Sequence, residues 1–371
     1  MRVLHIASGR LYGGIERMLT TLAESTGICS TFTFDFAVAA AGRLNEELRE
    51  RGVEVIPLGN VRLSRPASLL RARGYLRDLL RDRHYAAAVC HAPWSHAIFG
   101  GVVRTSGVPC ILWQHDRATG TPLIERASRN IGADLVICNS LWTAQTAGIL
   151  QPHAPHRVVY CPVQSGPAID GDRAEIRTAL GASAADVVVL AASRIEPWKG
   201  HLDVIRALAR LPARPWMLWV AGAAQRPHEH ECAAAIEAEV RHLGLEARVK
   251  LLGERRDVRR LLAGADLLAQ GNVQPEPFGV VFAESLLAGV PVVTTNMGGA
   301  PEIVTESCGR LVAPGDVTAF AGALDELISN VALRASLAAA GAIHAAELCD
   351  PTVVLPTLEA ALLSVSIKTA A

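Results

Sequence analysis

Short hydrophobic runs alternate with longer segments of helical period along the 371 residues of this chain. Most of the runs are rich in Val, Ile, Leu and aromatic residues and are apolar at consecutive positions instead of alternate ones. Strands of this kind are typical of parallel sheets that helices cover on both faces, so the pattern predicts an α/β fold. Strands are predicted at 3–8, 32–39, 53–58, 86–92, 109–115, 134–140 and 157–163, and then at 186–193, 216–222, 248–253, 265–270, 290–295 and 309–313.

The pattern breaks near the middle of the chain, at residues 161–172. This stretch, CPVQSGPAIDGD, is rich in Pro, Gly and small polar residues and has neither the strand nor the helix period, which is typical of a linker. We therefore expect two Rossmann-like, doubly wound lobes, at 1–165 and 166–349. Such lobes bind ligands beyond the carboxyl ends of their strands, so a ligand site is expected where the two lobes face each other across a cleft.

Composition narrows the range of partners and compartments. The 36 basic and 36 acidic side chains cancel, which argues against a nucleic-acid partner. The eight cysteines form no CxxC pair and no Cys/His cluster of zinc-site spacing, so buried thiols in a reducing cytoplasm are expected. The sequence has no signal-peptide pattern and no uninterrupted apolar run near the ~18–20 residues that a spanning helix needs. The expected location is cytoplasmic, with any membrane contact peripheral.

Two loops that follow predicted strands suit an anionic ligand. SGRLYGGIERML, residues 8–19, places Gly13 and Gly14 just before a helix, where backbone N–H groups can bind a phosphate or simply form a turn. This loop has neither the dinucleotide nor the P-loop pattern. SRIEPWKGH, residues 193–201, carries Arg194 and Lys199 on one strand-to-helix connection. We expect both cations to converge on one anion, for which a diphosphate is the natural candidate.

Several residues of the first lobe are candidates for an acid or base role. WQHDRATG, residues 113–120, brings His115 to the end of a predicted strand. A lone histidine in such a turn is more often structural than catalytic. Glu16, Asp35, His91 and His96 compete with His115 for the role, and the sequence does not rank them.

A pair of glutamates stands out in PEPFGVVFAE, residues 275–284. Pro277 favours an extended conformation at Glu276, whereas Glu284 lies about a turn inside a helix predicted at 279–289. A glycosidase pair would need carboxyls ~5–9.5 Å apart facing one bond, which this spacing permits but does not enforce. Two separate hydroxyl-binding tasks fit more easily, because one carboxylate accepts from two hydroxyls. TTNMGGAPE, residues 294–302, adds a glycine pair that either approaches a sugar or makes a tight turn.

PEPFGVVFAE resembles the E-x7-E motif of retaining glycosyltransferases with the GT-B fold, most closely those of glycosyltransferase family 4. The similarity covers nearly the whole chain, through GGIE near the start, QHD after a first-lobe strand, RIEPWKGH, and GGAPEIV behind the glutamates. It implies two facing lobes, with a carboxyl-terminal helix at 350–371 packing back on the first. It also implies retaining transfer of a sugar from a UDP- or GDP-sugar to a glycan or lipid-linked acceptor, as in polysaccharide or glycoconjugate biosynthesis.

The resemblance further implies roles for individual residues. Arg194 and Lys199 would hold the donor diphosphate and stabilise the leaving group, and Glu276 would hold hydroxyls of the transferred sugar. His115 would lie beside the anomeric centre, and Glu284 would bind the ribose. No metal or other cofactor is expected, because the two cations neutralise the diphosphate. The remaining donor-binding residues that it implies are Gly14, Phe278, Gly279, Gly298 and Gly299.

Other readings stay open beside the transferase. A GT-B-fold epimerase or phosphorylase and a non-catalytic nucleotide-sugar-binding subunit are the alternatives, and the presence of both cations and both glutamates favours a working transferase. The Asp170-Gly171-Asp172 sequence falls in the predicted linker, and we interpret it as a solvated turn instead of a metal site.

Residues 61–84 form an arginine-rich segment, with seven arginines against Asp78 and Asp82. From Pro66 onward its apolar residues share one helical face, which predicts a helix that packs on the first sheet with a basic outer face. That outer face is either only solvated or binds anionic membrane. The apolar residues are Leu69, Ala72, Leu76, Leu79 and Leu80.

Overall fold

A computed structural model describes residues 1–164 and 172–366 of the chain. These residues form two compact units, of which the first comprises Met1–Val163 and the chain from Cys349 onward, and the second Gln164–Leu348. The lobe boundary predicted at 165/166 lies outside the described residues. So do most of the Asp170-Gly171-Asp172 sequence and the last five residues of the helix predicted at 350–371.

The first unit is built on a seven-stranded parallel sheet of order β3-β2-β1-β4-β5-β6-β7. All seven strands predicted in the first half are confirmed. The last strand is shorter than predicted and ends at Val158. The apolar residues beyond it are largely buried, which explains why the pattern extended the strand to residue 163. The strands are β1 (Arg2–Ala7), β2 (Thr33–Val38), β3 (Val55–Pro57), β4 (Ala87–His91), β5 (Cys110–Gln114), β6 (Leu135–Cys138) and β7 (His156–Val158).

The second unit contains a six-stranded parallel sheet of order β10-β9-β8-β11-β12-β13. Every residue of its central strand β8 is buried, as the continuous apolar run predicts. All six predicted strands are confirmed here as well. They are β8 (Val187–Ala192), β9 (Trp216–Ala221), β10 (Val249–Gly253), β11 (Leu267–Gln270), β12 (Val292–Thr295) and β13 (Gly309–Val312).

Helices connect the strands in both units. Those of the first unit are α1 (Gly14–Glu24), α2 (Arg43–Glu50), α3 (Pro66–Asp82), α4 (Ala92–Ser95), α5 (Gly101–Thr105), α6 (Leu123–Ile131), α7 (Leu141–Ala144) and α8 (Ala147–Leu150), with a π-helical turn at His96–Gly100. The next are α9 (Asp172–Ala179), α10 (His201–Ala209), α11 (Pro227–His242), α12 (Val258–Gly264), α13 (Val280–Leu287), α14 (Ala300–Ile303), α15 (Val317–Ser329), α16 (Val331–Cys349) and α17 (Pro351–Ser366).

The arginine-rich segment folds as its pattern predicts. Pro66 occupies the first turn of α3, where the missing N–H costs nothing. Ala72, Leu76, Leu79 and Leu80 are buried and pack with β1 and β4 residues in one core cluster, and Leu69 is partly buried against the same cluster. The outer face of the helix therefore carries most of its arginines, with Leu70 and Tyr75 exposed among them.

The last two helices form the one stretch in the described parts of the chain that is long and apolar enough to cross a membrane. It runs over 331–366, and its 18-residue window has a mean hydropathy of 1.4. Charged residues, among them Arg334 and Glu347, interrupt the stretch, so it is not an uninterrupted apolar run. Length and composition do not separate a spanning helix from a core helix, and 44% of the window is buried inside the protein. Within the first unit, the carboxylate of Glu359 on α17 accepts from the backbone N–H of Thr31 at 2.8 Å.

Three buried histidines lie on neighbouring strands of the first sheet. His5 is in β1, His91 ends β4 and His115 follows β5, and all three are almost fully buried. Burial lowers the pKa of His5 and of His115 from 6.5 to about 3. Burial, together with the neighbouring imidazoles, lowers the pKa of His91 well below 6.5. The three rings are therefore neutral at physiological pH.

Acid is expected to destabilise the first unit because of these rings. In the unfolded chain they bind protons from about pH 6.5, whereas His5 and His115 in the folded chain stay neutral down to about pH 3. The stability present above pH 6.5 is therefore lost as the pH falls toward 3. Each buried imidazole contributes a slope of roughly 1.4 kcal/mol per pH unit in this window, which urea unfolding at a series of pH values measures.

Two substitutions isolate the effect. His5→Asn removes one buried imidazole and should reduce the pH slope of the unfolding free energy by roughly 1.4 kcal/mol per pH unit. His153→Asn makes the same change at an exposed position and is the matched control. Equal slopes in the two variants would contradict the assignment.

Candidate functional site

The loops after β8 and β11 form the centre of the second unit's polar edge. Arg194 follows β8, and Lys199 ends a 3-10 turn at Pro197–Lys199. Gly200 then takes a left-handed conformation with φ +67°, and a Cβ there would lie 1.7 Å from the carbonyl oxygen of Gly271. Only glycine allows this approach, so the backbone of the Lys199 loop packs directly on the loop that follows β11.

Glu276 and Lys199 form an ion pair in this edge. Their Oε2 and Nζ atoms are 2.6 Å apart, and the side chains are only 12% and 13% exposed. Gln270 donates to the same carboxylate oxygen at 3.1 Å and Asn272 at 3.4 Å. The ammonium also lies 3.9 Å from the ring centroid of Trp198, a cation–π contact. The carboxylate is thus held in one place by three donors.

Arg194 does not share an anion-binding position with Lys199 in this structure. Its guanidinium forms an ion pair with the buried carboxylate of Glu196. Each of the two cations therefore has its own carboxylate partner. For both cations to bind one anion, as the sequence predicts, the Arg194 guanidinium or the Lys199 ammonium must leave its carboxylate partner and contact the ligand.

The glycine pair at 298 and 299 packs against the Glu276 loop. Gly298 has φ +68°, and a Cβ there would lie 2.2 Å from the carbonyl oxygen of Glu276, which also accepts from the N–H of Gly299 at 2.7 Å. Glu276 and Gly298 form an isolated parallel bridge. The loop after β12 thus fixes the backbone that carries Glu276, and the extended conformation predicted at Glu276 is confirmed.

The second glutamate lies in α13, which is confirmed as a short helix. Gly279 caps the helix at φ +95°, and Phe278 beside it is buried. Glu284 lies in the second turn of α13 and is half-buried. The two glutamates therefore occupy different elements, a loop and a helix, as the sequence predicts.

In the first unit the structure separates the acid and base candidates. The Glu16 carboxylate accepts from the N–H of Gly13 at 3.0 Å and so caps α1, whose first residue is Gly14. Asp35 accepts from the hydroxyl of Tyr85 at 2.8 Å. Both ring nitrogens of His96 are used, by the Ser128 hydroxyl at 2.8 Å and the Gly132 carbonyl at 3.1 Å. All three therefore have structural contacts.

His115 and His91 remain, and they contact each other. Nδ1 of His91 lies 3.0 Å from Nε2 of His115. The Asn139 amide donates to the His115 carbonyl at 3.2 Å and fixes its backbone. His115 is buried but lies past the end of its strand, at the edge where parallel α/β sheets bind ligands.

Metal-binding side chains do not cluster in the parts of the chain that the structure describes. No group of three or more His, Cys, Asp or Glu residues there is placed to hold a metal ion. The eight cysteines are free thiols, and all but Cys232 are buried, as the sequence predicts.

Four residues at or near these sheet edges were not predicted from the sequence as site residues. Gln270 and Glu196 each stand at or near the end of an apolar strand, a position that signals a site residue in this fold class. His5 is a polar residue inside an otherwise apolar strand, which is a signal in itself. Ala92, directly after His91, has φ +68°, a strained conformation for a non-glycine residue that sequence does not reveal.

Comparison with known proteins agrees with this architecture. Residues 172–343 match the family described as Glycosyl transferases group 1. A GDP-mannose-dependent monoacylated alpha-(1-6)-phosphatidylinositol monomannoside mannosyltransferase of Corynebacterium glutamicum is 33% identical over 190 residues, 48% of this chain and 47% of the relative. The lipopolysaccharide core biosynthesis glycosyltransferase LpsE of Rhizobium meliloti is 30% identical over 210 residues, 56% of this chain and 58% of the relative. The chain thus spans about half the length of these curated relatives.

Solved structures match over nearly the full length. Anabaena HepE in complex with UDP and glucose has a TM-score of 0.86 and 25% identity, covering 98% of this chain and 100% of HepE. The sucrose-phosphate synthase of Thermosynechococcus elongatus, at 18% identity, shares the fold with a TM-score of 0.80, covering 98% of this chain and 100% of the synthase. The chain therefore has the GT-B fold that the sequence predicts, and its residues 172–343 match the glycosyl transferases group 1 family.

Proposed function

We propose that this protein is a glycosyltransferase that moves a sugar from a UDP- or GDP-sugar to a glycan or lipid-linked acceptor in glycoconjugate biosynthesis. The observation that carries the proposal is the Lys199–Glu276 pair at the carboxyl edge of the second sheet, which places a cation and a hydroxyl-binding carboxylate side by side. Relatives support both donor classes, since one is named as GDP-mannose-dependent and HepE is solved with UDP and glucose.

The chemistry follows from which groups the donor would engage. The Lys199 ammonium and the Arg194 guanidinium would bind the diphosphate and stabilise the charge that develops as the sugar–phosphate bond breaks. Glu276 would accept from hydroxyls of the transferred sugar, and Glu284 from the ribose. Gly14 would add a backbone N–H at the diphosphate, and the backbone of Gly298 and Gly299 would line the sugar pocket. His115 would contact the transferred sugar beside its anomeric carbon.

Retention of anomeric configuration and independence from metal are further parts of the proposal. The E-x7-E spacing of Glu276 and Glu284 supports retention by its resemblance to retaining enzymes. Two cations at the diphosphate site would supply the charge that a metal supplies elsewhere, so the reaction needs no ion. An epimerase, a phosphorylase or a non-catalytic subunit would bind the nucleotide sugar without transferring sugar to an added acceptor.

We further propose a cytoplasmic protein that lies on anionic membrane through the outer face of residues 61–84. This face exposes Leu63, Leu70 and Tyr75 at 59%, 67% and 47% beside exposed arginines that include Arg71 and Arg77. Apolar side chains among arginines suit the boundary between lipid headgroups and acyl chains. Such contact would bring the enzyme to a lipid-linked acceptor.

The donor assignment is tested by thermal shift and calorimetry with UDP, GDP, ADP and TDP and their sugars. We expect one nucleotide class to stabilise the protein, and Lys199→Met to weaken its binding about tenfold or more because a charge-assisted contact to phosphate is lost. Lys250→Met makes the same change within β10 and is the matched control. Equal affinities in the two variants would exclude Lys199 from the site.

A double variant distinguishes the effect of Lys199→Met on stability from its effect on nucleotide-sugar binding. Lys199→Met alone leaves the Glu276 carboxylate buried without its cation, which is expected to cost about 3–5 kcal/mol of unfolding free energy. Adding Glu276→Gln removes the unpaired charge and should restore most of the stability while nucleotide-sugar affinity stays low. Recovered affinity in the double variant would mean that Lys199→Met acts only through folding.

A transfer assay tests mechanism and metal use together. The product is expected to keep the anomeric configuration of the donor, as read by proton NMR of the new linkage. The initial rate should change by less than about twofold when EDTA replaces magnesium, because the two cations neutralise the diphosphate. An inverted product, or activity that EDTA abolishes and magnesium restores, would refute the corresponding part of the proposal.

Membrane contact is tested by co-sedimentation with phosphatidylcholine vesicles, with and without phosphatidylglycerol. Binding is expected only with the anionic lipid. Arg71→Gln combined with Arg77→Gln should weaken it about tenfold or more, since each arginine near the surface contributes about 1 kcal/mol. The double variant Arg210→Gln/Arg241→Gln alters exposed arginines of the second unit and is the control. Binding that ignores the anionic lipid would remove the membrane hypothesis.

A further inference from the structure

The three buried histidines of the first sheet form a diagonal row on one face. His5 in β1 stands opposite Val89 of β4, and His91, two residues further along β4, stands opposite Trp113 of β5. His115 lies two residues beyond Trp113. Since residues two apart on a strand share a face, each step moves one strand across and two residues toward the carboxyl edge.

The row is a continuous chain of nitrogen-to-nitrogen hydrogen bonds. Nδ1 of His5 lies 2.9 Å from Nε2 of His91, and Nδ1 of His91 lies 3.0 Å from Nε2 of His115. Successive rings are close to parallel, with interplanar angles of 25° and 19°. Burial lowers the pKa of all three rings, and the neighbouring imidazoles lower that of His91 further, so the rings are neutral.

Neutral imidazoles in such a chain have only two consistent arrangements of their hydrogens. Each ring carries one N–H donor and one bare nitrogen acceptor, so choosing the donor of one ring fixes the next. In the first arrangement all three rings carry hydrogen on Nδ1, and donation runs from His5 to His115. In the second all three carry it on Nε2, and donation runs the other way.

The inner end of the row discriminates between these arrangements. Nε2 of His5 is buried and has no hydrogen-bond partner in the described residues. The rings packed on His5 from β2 are Phe34 and Phe36, which offer no oxygen or nitrogen acceptor. A buried N–H without an acceptor is the rarer and costlier defect, whereas a bare acceptor is better tolerated. The arrangement with hydrogen on Nδ1 of all three rings leaves Nε2 of His5 as a bare acceptor, and so avoids a buried N–H without an acceptor.

We propose that His5 and His91 are positioning residues that fix His115 as the Nδ1–H tautomer and aim that N–H, as a hydrogen-bond donor, at an oxygen of the substrate. Nδ1 of His115 is the outer end of the row and has no partner among the described residues. The inference rests on the proposed function, in which His115 contacts the transferred sugar.

The proposal assigns a definite chemistry to His115. A neutral ring whose Nε2 accepts from His91 and whose Nδ1 carries hydrogen has no free lone pair, so it cannot take the proton of the acceptor hydroxyl. It can only donate to a sugar or leaving-group oxygen, where a fixed N–H stabilises developing negative charge. The acceptor proton must therefore go to another group, such as a phosphate oxygen of the departing nucleotide.

Nitrogen NMR of the free protein tests the tautomer directly. The full chain labelled with ¹⁵N-histidine gives separate shifts for protonated and bare ring nitrogens, and single His5, His91 and His115 variants assign them. At neutral pH we expect hydrogen on Nδ1 and a bare Nε2 in all three rings. Hydrogen on Nε2 of His115, or an imidazolium at that position, would overturn the proposal.

Activity of two near-isosteric variants tests the positioning role. The amide of His91→Asn can still donate to Nε2 of His115, whereas His91→Leu cannot. We expect kcat to be roughly tenfold to a hundredfold lower in His91→Leu than in His91→Asn, with similar KM for the donor. At position 5, kcat should likewise be lower in His5→Leu than in His5→Asn. The difference should be smaller than at position 91, because His5 acts through His91. Equal kcat in folded His91→Asn and His91→Leu would exclude the role.

The two readouts distinguish failure of this inference from failure of the proposed function. The tautomer is measured without substrate, so it stands even if the protein transfers no sugar. Transfer activity combined with an Nε2–H tautomer at His115 would reject the inference alone. His153→Asn, at an exposed position, controls for labelling and general effects on activity.

Discussion

The ion pair between Lys199 and Glu276 is the constraint on which the second unit's site depends. Two charges with so little solvent contact are tolerable only because they lie 2.6 Å apart and because Gln270 and Asn272 also donate to the carboxylate oxygen that Lys199 contacts. The glycines at 200, 271 and 298 follow from it, since the loops that carry these charges must pack backbone against backbone. In the proposed function, binding a diphosphate would be an exchange of anions at a cation that is already desolvated.

The two units accommodate polar groups at the ends of their strands with different chemistry. A parallel sheet buries its strands on both faces, so polar groups concentrate where the strands end. In the second unit charged groups collect there and neutralise each other in pairs. In the first unit neutral imidazoles extend from the edge into the sheet and satisfy each other nitrogen by nitrogen. One edge suits the binding of charge, and the other suits a fixed donor that does not titrate at physiological pH.

Sequence predicts the fold of this protein far better than the contacts of its site. All thirteen strands were predictable because buried parallel strands must be apolar at nearly every position, and β7 was overextended because 159–163 remain largely buried beyond the end of the strand. Pro277 and Gly279 likewise placed Glu276 in a loop and Glu284 in a helix. The partner of Lys199 was not predictable, because an ion pair across 77 positions depends on how two loops pack, whereas the partner of Arg194 lies only two residues away. The histidine row could have been found, since His5, His91 and His115 each interrupt or end an apolar strand.

The order of the segments along the chain lets the two units complete their folds at different stages of synthesis. The first unit contains both Met1–Val163 and the segment from Cys349 onward, so the second unit is inserted within it. Because domains generally fold as they leave the ribosome, the second unit can complete its sheet while α17 is still inside the exit tunnel. The first unit must wait for the last helix, whose Glu359 accepts from Thr31 beside β2. The nascent chain therefore carries the seven strands of the first sheet without α17 until the second unit has been made, and loss of α17 damages the unit whose strands were synthesised first.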